Sequence, residues 1–326
     1  MRGITAQKGK LNMKNIISIV FPVHNEESNI EELYNQVKQA CSEAGVDYEM
    51  IYVDDGSTDR SLDAVKRLRN ADPKVGYLSL SRSFGHQCAI FAGMTKAAGD
   101  ACITMDADLQ HPPSLIPKMV EMWRNGAEVV YTTKENANLP FLKNLIVKAS
   151  YRFISKVSGL SLSFGQSDFR LLDKKVLSVL LDMPECHKFL RGQVSWIGFR
   201  QQGIPYNVGK RHSGLPKYSF RSLSRLALDG IFSFGRYPLH LVMLFALVIL
   251  GCSSAYIIMV LTIWVLKVLG IVNIPVPPGY TDIVMAVCFL GSVQLVAIGI
   301  LSEYVGRIYD QTKGRPPFIV TEAAVK

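Results

Sequence analysis

Asp106 and Asp108 stand two residues apart, just after the apolar run Ala101-Cys102-Ile103, with the side-chain amide of Gln110 two positions further on. The run reads as a buried strand, and extended backbone turns side chains at i and i+2 to one face. Two carboxylates brought that close repel unless a cation lies between them. Hard oxygen donors suit Mg2+ or Mn2+ better than Zn2+, with few protein ligands and substrate phosphates completing the shell. Asp106, Asp108 and Gln110 are therefore the candidate metal ligands. An isolated Asp-x-Asp more often marks a solvated loop at a helix start, so the surroundings must decide.

The surroundings are regular. Asn15–Val23 is apolar and β-branched, as a central parallel strand requires. Ser28-Asn29-Ile30-Glu31 fits a capping box, and Ile30, Leu33, Val37 and Cys41 follow at helical spacing. A strand at Glu49–Val53, a helix carrying Leu62, Val65 and Leu68, and a strand at Val75–Leu80 come next. Helices over His86–Ala98 and Ser114–Arg124 flank the strand before Asp106, and Glu128–Thr132 is again a strand. This alternation predicts an α/β fold with a mostly parallel sheet. The polar residues cluster where strands end: Pro22, His24, Asn25 and Glu26; Asp54 and Asp55; Ser81, Arg82 and Ser83; Asp106 and Asp108. In open α/β sheets ligands bind at those carboxyl ends. Neither Gly-x-x-x-x-Gly-Lys-[Ser/Thr] nor a Gly-x-Gly-x-x-Gly after a strand occurs, so a diphosphate ligand would need a bridging metal.

The 326 residues are 48% hydrophobic with a mean hydropathy of +0.18, and the excess lies after Tyr237. Pro238–Leu266 has no charged residue, and Thr281–Tyr304 has only Asp282 and Glu303 near its ends. Each is long enough to cross a hydrocarbon core of about 30 Å. Arg221, Arg225 and Arg236 precede the pair and Arg307, Lys313 and Arg315 follow it, whereas the loop between has only Lys267. That bias places both ends in the cytoplasm. The net charge of +9 is concentrated beside apolar segments, which points to anionic lipid or phosphate and away from nucleic acid. Residues 133–163 interleave Lys143, Lys148, Arg152 and Lys156 with apolar residues, as an amphipathic segment on the acceptor side would. Residues 207–236 read as a basic loop, with Arg211, Lys217 and Ser219 suited to phosphate oxygens, followed by a helix in the membrane interface. Residues 1–12 are a flexible extension without an apolar signal region, 13–206 the α/β domain, 237–305 the transmembrane hairpin and 306–326 a cytoplasmic tail. The six cysteines show no Cys-x-x-Cys spacing and read as free thiols of a reducing compartment.

Three stretches carry a resemblance: Phe21-Pro22-Val23-His24-Asn25-Glu26-Glu27, Val53-Asp54-Asp55-Gly56-Ser57-Thr58-Asp59 and Asp106-Ala107-Asp108-Leu109-Gln110. They resemble the GT-A-fold inverting glycosyltransferases of the dolichol-phosphate mannose synthase type. The nearest likeness is to the bacterial membrane-anchored branch that modifies O-antigen and lipid A. The resemblance runs from about Asn15 to the C-terminus, where Gly306–Asp310 and Gly314–Pro317 also match. It implies that Pro22, Asn25, Glu26, Asp54, Asp55, Arg82 and Asp106 bind the nucleotide sugar. It implies that Asp106, Asp108 and Gln110 hold metal and diphosphate. Gln166-Ser167-Asp168-Phe169-Arg170-Leu171 is similar to a Gly-Asp-Phe-Arg-Leu stretch with its Asp at the reacting centre. Asp168 and Asp108 are thereby the catalytic carboxylates, and Arg170 and Arg191 are structural or acceptor-phosphate contacts. An Asp–Arg pair at i and i+2 is otherwise an ordinary salt bridge. The chain departs from the pattern at His111, usually an acid, at His86-Gln87, commonly Lys-Glu, and at Ser167, usually glycine. His111 is read as a helix-start residue without a ligand role.

The expected protein is a membrane-anchored enzyme of the bacterial inner membrane with its catalytic domain in the cytoplasm. It would pass a sugar from a nucleotide sugar, UDP being the first expectation, to undecaprenyl phosphate, and work as a homo-oligomer. Asp108→Ala and Asp168→Ala are expected to abolish transfer with the fold intact. One rival is a processive polysaccharide synthase, which would bring more membrane helices and Gln-x-x-Arg-Trp in place of Gln193-Val194-Ser195-Trp196. The other is a non-catalytic membrane scaffold or flippase component.

Overall fold

A computed structural model describes residues 15–134, 166–186, 188–206, 237–270 and 279–325. The N-terminal extension, the basic loop with Arg211, Lys217 and Ser219, the interfacial helix, and all of 133–163 except the end of one strand lie outside these residues. The chain forms two compact units, one holding the sheet together with Arg315–Lys326, the other holding Arg221–Gly314.

Eight strands form one sheet: β1 (Ile16–Val23), β2 (Asp47–Asp54), β3 (Val75–Leu80), β4 (Ala101–Thr104), β5 (Val129–Lys134), β6 (Gln166–Asp173), β7 (Gln201–Tyr206) and β8 (Val320–Ala324). Their order is β7-β5-β6-β4-β1-β2-β3-β8. β6 and β8 run against the other strands, so the sheet is mixed but mostly parallel. The helices of this unit are α1 (Ile30–Ala44), α2 (Ser61–Ala71), α3 (His86–Met94), α4 (Ile116–Arg124, entered through a 3-10 turn at Pro113–Leu115), α5 (Lys174–Leu181) and α6 (Leu190–Ile197).

The apolar run of β1 is explained by burial on both faces. Ile17, Ile19, Phe21 and Val23 join Leu33 and Val37 of α1 and Met119 of α4 in one core. Val20, with Ile51 and Val53 of β2, joins Ala89 and Ile90 of α3 in the other. Each such side chain contributes roughly 1.5–3 kcal/mol by leaving water. Gly93 lets α3 approach β1 closely, because a Cβ there would stand 2.3 Å from Val20 Cγ1. α1 begins at Ile30, which makes Asn29 its N-cap residue. Asn29 makes no side-chain cap to α1; its Nδ2 donates to Glu26 Oε2 at 2.7 Å. The end of α1 is conventional, with Gly45 at φ 62° accepting the left-handed turn.

Part of the predicted tail is a strand. Val320–Ala324 is β8 and covers the edge of β3, with Ser81 N donating to Ile319 O at 2.9 Å and Thr321 Oγ1 to Ser79 O at 3.1 Å. The other unit contains α7 (Tyr237–Val268) and α8 (Tyr280–Thr312). Both predicted spans are thus helical. Among the described residues one stretch, Phe289–Thr312, is long and apolar enough to cross a membrane; the apolar stretch Val242–Tyr256 of α7 is shorter. Among the described residues Cys41, Cys88, Cys102 and Cys252 form no disulfide.

Candidate active site

The carboxyl ends of β1, β2, β3 and β4 lie side by side, and the loops that leave them are knitted together. Asn25 follows β1 in a left-handed conformation (φ 57°). Its Oδ1 accepts from Thr58 N at 2.8 Å, and its own N–H donates to Ser57 Oγ at 3.1 Å. Glu26 N donates to Ser61 Oγ at 2.9 Å, and His24 Nδ1 donates to Asp55 O at 2.8 Å. Asp54 accepts from Ser57 N at 3.1 Å and Ser79 Oγ at 3.4 Å. Asp55 is buried and accepts from Phe84 N at 2.7 Å, Gly85 N at 3.0 Å and Ser83 Oγ at 2.8 Å. Its carboxylate thus ties the β2 loop to the turn that starts α3. The contact is tight enough that a Cβ on Gly56, itself at φ 67°, would stand 2.8 Å from Ser83 N. Arg82 is exposed, with its guanidinium 4.2 Å from the Phe84 ring centroid.

Asp106 and Asp108 leave β4 through a loop that puts Leu109 at φ 60°, a conformation a bulky side chain rarely adopts. Asp108 Oδ1 accepts from Gln110 N at 3.1 Å. Asp106 Oδ1 is buried without a hydrogen-bond partner and lies 3.3 Å from His86 Nε2. That oxygen accepts no hydrogen bond and faces the His86 imidazole, and as a hard anionic donor it fits a divalent cation of the Mg2+ type. Among the described residues no group of three or more His, Cys, Asp or Glu is placed to cage a metal, so any cation would take the rest of its shell from substrate and water.

Asp168 on β6 is brought to the same place. Arg191 on α6 grips it at both oxygens, Nε to Oδ1 at 2.8 Å and Nη2 to Oδ2 at 2.7 Å. Gln87 Nε2 donates to Oδ2 at 3.2 Å, while Gln87 Oε1 accepts from Leu190 N at 3.2 Å. Arg170 Nη2 stands 3.5 Å from Oδ1, and His86 Nε2 stands 3.6 Å from Oδ2. Burial alone would raise the Asp168 pKa, but Arg191, His86 and Arg170 hold it well below the ordinary carboxylate range. Desolvation by the surrounding groups works to lower His86, although its side chain stays 44% exposed, and the carboxylates of Asp106 and Asp168 outweigh it, raising the imidazole to about 9. His86 therefore bridges the carboxylate after β4 and the carboxylate on β6.

Of the predicted residues, Asp106, Asp168, Arg191 and Arg170 gather here, while Asn25, Asp54, Asp55 and Arg82 form the adjoining loops. Arg170, expected as structural or as a phosphate contact, is fully buried, its Nη2 donating to Ser167 O at 3.0 Å and its Nη1 unpartnered. Its place is structural. His111 does stand at a helix start, just before the 3-10 turn at Pro113–Leu115, but its side chain points into the fold. It is 1% exposed, with burial holding its pKa below the ordinary imidazole value, and Nε2 lies 2.6 Å from Ser167 Oγ. In the sequence His86, Gln87, His111 and Ser167 stand out only as departures from a pattern; His86 and Gln87 meet at Asp168, and His111 meets Ser167, only in the fold.

The sequence profile of Glycosyl transferase family 2 matches residues 18–181, from β1 through α5, including every carboxylate described above. The chain belongs to glycosyl transferase family 2. This glycosyltransferase is 36% identical over 307 residues to the glycosyltransferase YkcC of Bacillus subtilis, covering 94% of this chain and 93% of that one. It is 34% identical over 308 residues to the bactoprenol glucosyl transferase of Shigella phage SfII, covering 94% and 98%. Glucosyl-3-phosphoglycerate synthase from Mycobacterium tuberculosis, a solved structure, aligns with a TM-score of 0.47 and 17% identity over 68% of this chain and 80% of that one. That likeness is too distant to inform the site.

Proposed function

We propose that this glycosyltransferase moves one sugar from a UDP-sugar to a polyprenyl phosphate, undecaprenyl phosphate in a bacterium, at the cytoplasmic face of the inner membrane, with inversion. The observation that carries the reading is the convergence of Asp106 and Asp168 on one imidazole, with Arg191 locked beside them. The name of the Shigella phage relative supports a polyprenyl acceptor.

Pro22, Asn25, Glu26, Asp54, Asp55 and Arg82 would line the nucleotide side. Asp106 and Asp108, with Gln110, would hold Mg2+ or Mn2+ against the donor diphosphate. When bound, such an ion offsets the charge of the leaving nucleoside diphosphate. The acceptor phosphate is already anionic near neutral pH, so the reaction needs little base catalysis. Asp168 suits this demand. Saturated by cations, it is a weak base, but it aims Arg191 and offers negative charge where the anomeric carbon becomes positive. Arg191 is partly exposed and would meet the acceptor phosphate, with Arg211, Lys217 and Ser219 from the basic loop. In-line attack opposite the leaving group inverts the anomeric centre.

The two long helices would form a transmembrane hairpin. The sheet supports an even number of crossings: the chain leaves it before Arg221 and β8 must rejoin it beyond Gly314. A two-helix anchor is slight for a domain of this size, which favours a homo-oligomer.

Purified full-length protein should be incubated with undecaprenyl phosphate, Mn2+ and a panel of radiolabelled UDP-sugars. One donor should yield a lipid carrying a single sugar. Polymeric product, or transfer only to water-soluble acceptors, would overturn the reading.

A further inference from the structure

We infer that His111 and Ser167 form a positioning pair that sets the spacing between the metal-binding aspartate and Asp168; this rests on the function proposed above. The argument is geometric. His111 Nδ1 lies 3.1 Å from the backbone N of Asp106, and an amide N–H can only donate, so Nδ1 carries no proton. The ring proton is therefore on Nε2, aimed at Ser167 Oγ 2.6 Å away. Ser167 immediately precedes Asp168 on β6. One rigid ring thus joins the backbone of Asp106 to the neighbour of Asp168.

The ring cannot swing away. Phe169 stacks on it with centroids 5.4 Å apart, and Tyr206 of β7 meets it edge-on at 6.1 Å. Ser167 Oγ is held in turn, accepting from Phe169 N at 3.3 Å and lying 3.5 Å from the Tyr206 hydroxyl. The link is placed where the sheet stops helping. The β4–β6 ladder ends at Thr104 opposite Arg170, and the Thr104 hydroxyl makes a last tie to Asp168 O at 2.5 Å. The metal-binding loop begins just beyond. A glycine at 167 would have no hydroxyl to make this bond. A reaction that needs leaving group and acceptor in line is sensitive to errors of about 1 Å between its two halves.

The test uses full-length protein with undecaprenyl phosphate, Mn2+ and the best donor, alongside titration of Mn2+–UDP binding and thermal melting. His111→Asn keeps an acceptor near the Nδ1 position but cannot reach Ser167; Ser167→Ala removes only the hydroxyl. Each should lower kcat about tenfold while donor KM and Mn2+–UDP affinity stay within about twofold. The double variant should be no slower than the slower single one, because both break the same bond. Hydrogen exchange reads the pair without turnover: Ser167→Ala should speed exchange in peptides covering 105–111 and leave β1 and β2 unchanged. Unchanged kcat in Ser167→Ala, losses that multiply, or unaltered exchange over 105–111 would overturn the inference. If the wild type makes no lipid-linked sugar, the proposed function falls, and the pair is judged on exchange alone.

Discussion

At the scale of single residues, Asp168 and Asp108 are both carboxylates at a strand end but behave as opposites. Asp168 is buried among Arg191, Arg170 and Gln87. Removing it leaves Arg170 as a buried cation without its counter-charge, and breaking such a pair costs about 3–5 kcal/mol. Asp168→Ala should therefore lose stability as well as transfer, contrary to the expectation of an intact fold. Asp108 is half-exposed on a loop. Asp108→Ala should abolish transfer and, by losing the bond from Gln110 N, cost only about 0.5–1.5 kcal/mol of stability. Urea melts run beside the transfer assay separate the two. Asp168 also sets an acid limit. Its folded pKa lies well below the unfolded value of about 3.9, so its stabilising contribution is complete above that value and fades as pH falls through the folded one. Urea midpoints should decline below about pH 4 in the wild type, and Asp168→Asn should flatten that decline.

At the scale of elements, the site depends on pieces far apart in sequence. β8 shields the edge of β3, whose carboxyl end leads into the loop that Asp55 anchors. An uncovered edge presents unpaired N–H and C=O groups and invites association. A chain ending at Phe318 should therefore melt earlier and aggregate on heating, as light scattering would show. Glu322→Ala, which removes only the exposed contacts to Lys66 and Tyr77, should leave the melting temperature nearly unchanged. Stability of the Glu322 variant as poor as that of the truncation would mean that side chains, not strand pairing, hold β8.

At the scale of the whole molecule, Arg315–Lys326 belongs with the sheet although Arg221–Gly314 intervenes. Replacing 221–314 by a flexible linker should leave a folded domain that still binds UDP with Mn2+ but has lost transfer to membrane-embedded undecaprenyl phosphate. Calorimetry and the lipid assay check the two halves of that expectation. A protein cut off at Phe220, lacking β8, should bind UDP less well than the linked version. In membrane vesicles, tags at the two termini should be digested from the same side, and the segment joining α7 to α8 should be reached from the other.

Asp106, Asp108 and the strand-end polar residues are legible because the continuous apolar runs of strands buried on both faces and the strand-to-helix alternation are local, and ligands gather at carboxyl ends for a reason of topology. The long apolar helices were legible for the same local reason. What the tertiary structure alone decided is non-local. β8 has little intrinsic strand signal in Val-Thr-Glu-Ala-Ala, and only the open edge of β3 makes it a strand. His111 is at a helix start, as its place before Pro112-Pro113 indicates, but nothing near it in sequence shows that Phe169, Tyr206 and Ser167 close over its ring. Residue type and period determine which elements form and which side chains could react. Which carboxylate is saturated by arginine, and which oxygen is left for a cation, depends on partners that only folding brings within hydrogen-bonding distance.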